Sequence, residues 1–256
     1  NAKVEMARAI PALAAPLVVG FLVDRGLAGG VFVLAAAAAG MAVSFALGFP
    51  SFKRDVPRRA GAFRAIFNGG RFVVGQPLLR AIAACAVFWN LAFAGLLAIL
   101  APLLLDFYGA DPSSFGIALS VFGGAVIAGT WVAGRISHAI VPSVILILGP
   151  GSSFAASLLF LVIPADGPVV AIYAVFFGLG FGPSMWLVAQ NSIRQLVTPP
   201  PMLRCVYAVI QPSIYDMRPI GPLTVVFIPG SPSPYAAAVL LFAASVPPLA
   251  PASVRP

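Results

Sequence analysis

FKRDVPRRAGAFRAIFNGGRFVVGQPLLR, residues 52–80, is the long polar interruption in a chain that otherwise reads as one apolar run after another. It carries Lys53, Arg54, Arg58, Arg59, Arg64, Arg71 and Arg80 against a single acid, Asp55. Short loops that keep Lys and Arg stay on the cytoplasmic side of a membrane, so this cluster orients the spans on both sides of it. Two apolar runs precede it and about six follow.

Composition fixes the class. Apolar residues make up 61% of 256 and charged residues 9%, a balance that no water-facing surface of a globule this size tolerates. The runs are close to 20 residues long, the length an α-helix needs to cross about 30 Å of hydrocarbon, and the alternation of barrel strands is absent. The expected fold is all-α, a polytopic membrane helix bundle of about eight spans. The net charge of +8 sits at span ends, where it orients helices and meets anionic headgroups, so the lipid bilayer is the partner it implies and nucleic acid is not. Cys85 and Cys205 lie far apart in or beside apolar runs, without CxxC or Cys/His spacing, so neither a disulfide framework nor a metal site is expected. No signal-peptide pattern opens the chain at Asn1, and the sequence reads as a piece of something longer.

Three regions result: residues 1–49 with two spans, a basic loop over 50–80, and six spans over 81–256. The spans centre on residues 6–23, 27–49, 81–105, 115–133, 144–163, 169–187, 203–228 and 235–250. Phe63, Ile66, Phe67 and Phe72 interleave with Arg64 and Arg71, which suits either a short helix in the headgroup plane or a solvated linker. Eight spans place both termini in the cytoplasm of a multi-pass protein of the cell membrane. Thirteen of the 15 Lys and Arg then fall on the cytoplasmic side, and Asp24, Asp106, Asp111 and Asp166 on the other.

Small residues recur every fourth position at Gly116, Ser120, Gly124 and Ala128, and again at Ala174, Gly178 and Gly182. Such ladders let helix backbones approach closely, for plain packing or for sliding. Gly178, Gly180 and Gly182 also read GxGxG, but in mid-span with no preceding strand, so they are no phosphate loop.

Several segments resemble the major facilitator superfamily, in its drug and siderophore exporter branch. Asn1-Ala2 with Arg8, then Ala15-Pro16 and Gly20, are similar to that branch's fifth span. Gly70-Arg71-Phe72 through Gln76-Pro77-Leu78-Leu79-Arg80 resembles its central-loop segment. Asn191 to Pro199, NSIRQLVTP, resembles the element after its tenth span, and Pro219 with Gly221 the Pro-Leu-Gly of its eleventh. The chain departs from the branch at Ala15-Pro16, where a Gly-Pro is usual, and at Leu203-Arg204-Cys205, where Arg-Gly-Arg is usual. The resemblance implies the last two helices of the N-terminal half, the central loop and the six-helix C-terminal half of a secondary transporter, the C-terminal two-thirds of the whole. It implies proton-coupled export of small hydrophobic or amphiphilic molecules, completed by missing N-terminal helices or a second copy. A transport-inactive fragment is the alternative.

Polar side chains inside spans are the candidates for a substrate or proton pathway, since a charge at mid-bilayer costs about 2.5 kcal/mol or more and normally faces a cavity or partner. Asn90 with Trp89 suits a cavity wall or a hydrogen bond to a neighbouring helix. Gln190, Asn191 and Arg194 near the cytoplasmic end suit a gate or cap. Gln211, Asp216 and Arg218 form the sharper group: Asp216, twelve residues past Arg204, falls about 18 Å from the cytoplasmic end if the helix continues, where a desolvated carboxylate suits proton exchange. An enzyme is disfavoured by one histidine, no paired carboxylates and no nucleophile elbow, and no catalytic residue or cofactor is expected.

Overall fold

The computed structural model describes residues 2–48, 62–136, 142–164, 167–215, 218–227 and 242–246, and every regular element among them is helical. In chain order these are α1 (Ala2–Asp24), α2 (Ala28–Leu47), α3 (Ala62–Gly75), α4 (Pro77–Pro102), α5 (Pro112–Ile136), α6 (Pro142–Leu159), α7 (Val169–Val197), α8 (Leu203–Tyr215) and α9 (Ile220–Phe227). Hydrocarbon offers backbone groups no hydrogen bonds, so runs this apolar satisfy them within helices. Among the described residues α2, α4 with its π-helical extension Leu103–Phe107, α5 and α7 are long and apolar enough to cross a membrane. Leu13–Asp24 of α1 and Val144–Leu159 of α6 are shorter apolar helices. The all-α membrane bundle expected from composition is the fold.

Local chemistry sets the boundaries. α4 starts four residues before the expected span because Pro77, whose missing N–H costs nothing in a first helical turn, follows an extended Gln76. At the other end Gly109 takes φ +58°, a left-handed conformation that turns the chain toward α5. The expected seventh span divides into α8 and α9. Of the expected eighth span only 242–246 are described: residues 242–245 form a helical turn, and Phe242 is buried against the core. Lys53 to Arg59, His138, Asp166 and Asp216 lie outside the described residues.

The small-residue ladders are where the helices meet. α1 crosses α5 antiparallel: Gly116 packs on the Pro16 carbonyl and on Gly20, and Ser120 Oγ donates to the Leu13 carbonyl at 3.0 Å. α7 lies between two helices. Gly178 and Gly182 face Ala156 and Ser152 of α6, while a Cβ at Gly180 would stand 2.6 Å from the Phe122 carbonyl oxygen of α5. Gly129 of α5 in turn abuts Ser184 and the Phe181 carbonyl. These approaches replace the hydrophobic drive that lipid cannot supply with close van der Waals contact. Their order makes α5 and α7 parallel and α6 antiparallel to both. Gly221 of α9 closes the same way on Leu91, Ala94 and Gly95 of α4.

This order gathers the start of α4, the end of α5 and the junction of α7 and α8 at one end of the bundle, carrying Arg71, Arg80, Arg135 and Arg204. Asp24, Asp106 and Asp111 stand at the other. The central-loop stretch over 62–75 is helical, and α3 packs on α8 through Val73, whose cluster also holds Leu79, Val206 and Ile210.

Candidate functional site

Mid-span polarity concentrates where α4 meets the break between α8 and α9. Asn90 is thirteen residues into α4, about 20 Å from the basic end at helical rise. Its amide nitrogen donates to the Ala86 carbonyl at 2.9 Å, which turns its oxygen outward to accept from Arg218 Nε at 3.2 Å. A bond to a charged donor is worth more than a neutral one, and it anchors the break to α4. Trp89, one residue before, donates Nε1–H to Ser153 Oγ of α6 at 2.9 Å. It stacks on Phe93, its ring centroid 5.0 Å away, and Phe93 stacks on Phe122 of α5 at 4.7 Å. The aromatic ladder ends in a cavity of about 210 Å3 lined by Pro16, Phe93, Leu97, Leu119, Phe122, Gly123 and Val126. Its walls come from α1 on one side and α4 and α5 on the other. Everything lining it is apolar, so it selects for hydrophobic surface and offers a buried charge nothing.

A second polar group closes the basic end. Arg194 is 1% exposed and lays its guanidinium over the Tyr207 ring of α8, 3.9 Å from the centroid. Asn191 Oδ1 accepts from both Arg194 Nη2 and Gln190 Nε2, the latter at 3.2 Å, and so ties the three together. Trp186 Nε1, Gln190 Oε1, Arg194 Nε and Thr198 Oγ1 are buried without a hydrogen-bond partner. They recur at every fourth residue, along a single stripe of α7 and its C-cap.

The chain gives a match to the family model for the Major Facilitator Superfamily over residues 1–222. The chain belongs to that superfamily. No curated protein and no solved structure matches it. As a superfamily member the protein is a multi-pass membrane transporter, a class that acts on small-molecule substrates in the lipid bilayer.

The structure joins some of the candidates in this transporter and separates others. Asn90 meets Arg218 across 128 residues of sequence, and Gln190, Asn191 and Arg194 form one cluster. Gln211 is exposed on α8, apart from both. Asp216 lies outside the described residues. Sequence reading passed over Tyr207, Thr198 and Trp186. The i, i+4 recurrence of Trp186, Gln190, Arg194 and Thr198 is the signal that points to them. Among the described residues no group of His, Cys, Asp and Glu is arranged to hold a metal ion.

Proposed function

We propose that the transporter exports small hydrophobic or amphiphilic molecules of the drug or siderophore type, driven by protons. The observation that carries this reading is the apolar cavity between α1 and the α4–α5 pair. α1 belongs to the first half of the superfamily's plan and α4 and α5 to the second, and alternating access rocks such halves around a midplane site. At about 210 Å3 the cavity is smaller than the ~300–1,000 Å3 of most ligand pockets, so it serves as the apolar end of a larger path. Asn90 and Arg218 supply the polar end, suited to the head of an amphiphile. Gln190, Asn191, Arg194 and Tyr207 act as the gate at the basic end, the cytoplasmic end in this reading because Lys and Arg favour that side. The buried, unpartnered Gln190 Oε1 and Arg194 Nε gain hydrogen bonds when that end opens to water, which lowers the cost of opening. Asp216, two residues before Arg218, is the acid that sequence brings nearest to this midplane group and is the proton carrier in this reading.

Loss of an amphiphilic fluorescent dye from preloaded cells tests the proposal. Cells expressing the protein should clear the dye several-fold faster than control cells, and a protonophore should remove the difference. Asp216→Asn at an unchanged membrane level should abolish the protonophore-sensitive part. Clearance that is indifferent to both the protonophore and Asp216→Asn assigns coupling elsewhere.

A further inference from the structure

The geometry points to a binding site for the phosphodiester headgroup of an anionic phospholipid in the cleft between α3 and the α7–α8 connection. Around α3 the residues sort into three arcs. Gly69 and Val73 face α8, where a Cβ at Gly69 would stand 2.6 Å from the Cys205 carbonyl oxygen and Val73 is 5% exposed. Ile66, Phe67 and Val74 continue the apolar arc beyond that contact and are 48%, 64% and 63% exposed. Asn68 and Arg71, three apart and so neighbours on the surface, form the remaining polar arc. α8 thus covers Gly69 and Val73 and leaves Ile66, Phe67 and Val74 uncovered, and a helix built this way binds at a lipid interface, apolar arc toward acyl chains and basic arc toward headgroups.

The polar arc opens on a cleft of about 440 Å3 lined by Asn68, Arg71, Phe72, Gly75, Gln76 and Met202. Arg71 is exposed and makes no ion pair or hydrogen bond with any described residue. A guanidinium presents a planar fork that matches two phosphate oxygens, and the Asn68 and Gln76 amides each bring two N–H donors to the same space. Gly75 adds no side chain to the wall. The cleft lies at the basic end of the bundle, with Arg80 and Arg204, where anionic headgroups concentrate. A free phosphate would use only the polar wall. A phospholipid also uses Phe72 and Met202 inside the cleft and the uncovered Phe67 and Val74 beside it, and this two-part fit favours the lipid.

Native mass spectrometry of the purified, delipidated protein titrated with phosphatidylglycerol or phosphatidylcholine tests the site. Phosphatidylglycerol should be retained preferentially, and Arg71→Gln should weaken its retention about five-fold, the worth of one basic side chain at an anionic surface. Arg135→Gln, at the same end but stacked on Trp131, should leave retention unchanged. Arg71 is exposed, so its substitution leaves the bundle folded, and an unchanged melting temperature verifies this. Two results overturn the proposal: equal retention by the protein and its Arg71→Gln variant, which gives the α3 face to a protein partner instead, and displacement of phosphatidylglycerol by millimolar inorganic phosphate, which makes the cleft a soluble-anion site. Neither result bears on dye export, so this site and the transport reading stand or fall separately.

Discussion

α2 and α7 are both long, apolar and glycine-bearing, yet their surroundings are opposite. α2 has no buried residue, and the space around Gly29, Gly30 and Gly40 is open. α7 buries a stripe from Ile172 to Arg194, and Gly178, Gly180 and Gly182 are pressed against α5 and α6. Apolar composition qualifies a helix for the membrane, but it does not say whether the helix meets lipid or protein. What separates the two is register. In α7 the small residues are spaced so that two faces each admit a neighbouring backbone, and polar residues such as Ser184, Gln190 and Arg194 ride on the buried side.

The contrast is broken most sharply by enlarging a glycine. Gly180→Leu should cost about 3 kcal/mol, at the upper end for overpacking, because the new side chain has only the Phe122 carbonyl and Ala125 to enter. The check is the fraction of monodisperse protein in size-exclusion chromatography together with its melting temperature. Asn90→Leu comes next, at about 2 kcal/mol, since it removes the acceptor of a charged donor and leaves Arg218 without that bond. Asn90→Asp should restore the stability lost in Asn90→Leu, because a carboxylate still accepts from the guanidinium. A Leu variant as stable as the parent removes the bond from the account. Ser120→Ala deletes one interhelical bond to the Leu13 carbonyl and should cost about 0.6 kcal/mol. Gly40→Leu on α2 should change stability by less than about 0.5 kcal/mol, and a large loss there would mean that α2 is packed against protein.

The long apolar helices and the charge separation were legible in the sequence because they follow from run length and from where Arg and Asp fall, although α4 starts four residues earlier than its apolar run suggested. The ladder Gly116–Ser120–Gly124 was legible as a packing surface, although its partner, α1, was not. Whether the stretch around Arg64 and Arg71 was helix or linker stayed open. Periodicity over fourteen residues shows an apolar face, but the docking of Gly69 and Val73 on α8 depends on residues over a hundred positions later. The Asn90–Arg218 bond was out of reach for the same reason. Arg218 was grouped with Asp216 and Gln211 by proximity in the chain, while one of its hydrogen bonds reaches Asn90 of α4 and Gln211 is exposed on α8. Arg194 read as a gate residue near a helix end. Its full burial over Tyr207 depends on α8 folding back across the three-proline turn, a geometry that local propensity does not encode.

Filling the apolar cavity is the most direct test of the transport account. Val126→Trp places an indole in a space of about 210 Å3 between α1, α4 and α5, and Val43→Trp places one on the exposed face of α2. With both variants at parental levels in the membrane, Val126→Trp should reduce protonophore-sensitive dye export at least ten-fold, the usual cost of a blocked or misplaced site, while Val43→Trp exports like the parent. Export by Val126→Trp at the parental rate would contradict the account, because substrate would then be crossing the bundle by a path that does not use the cavity.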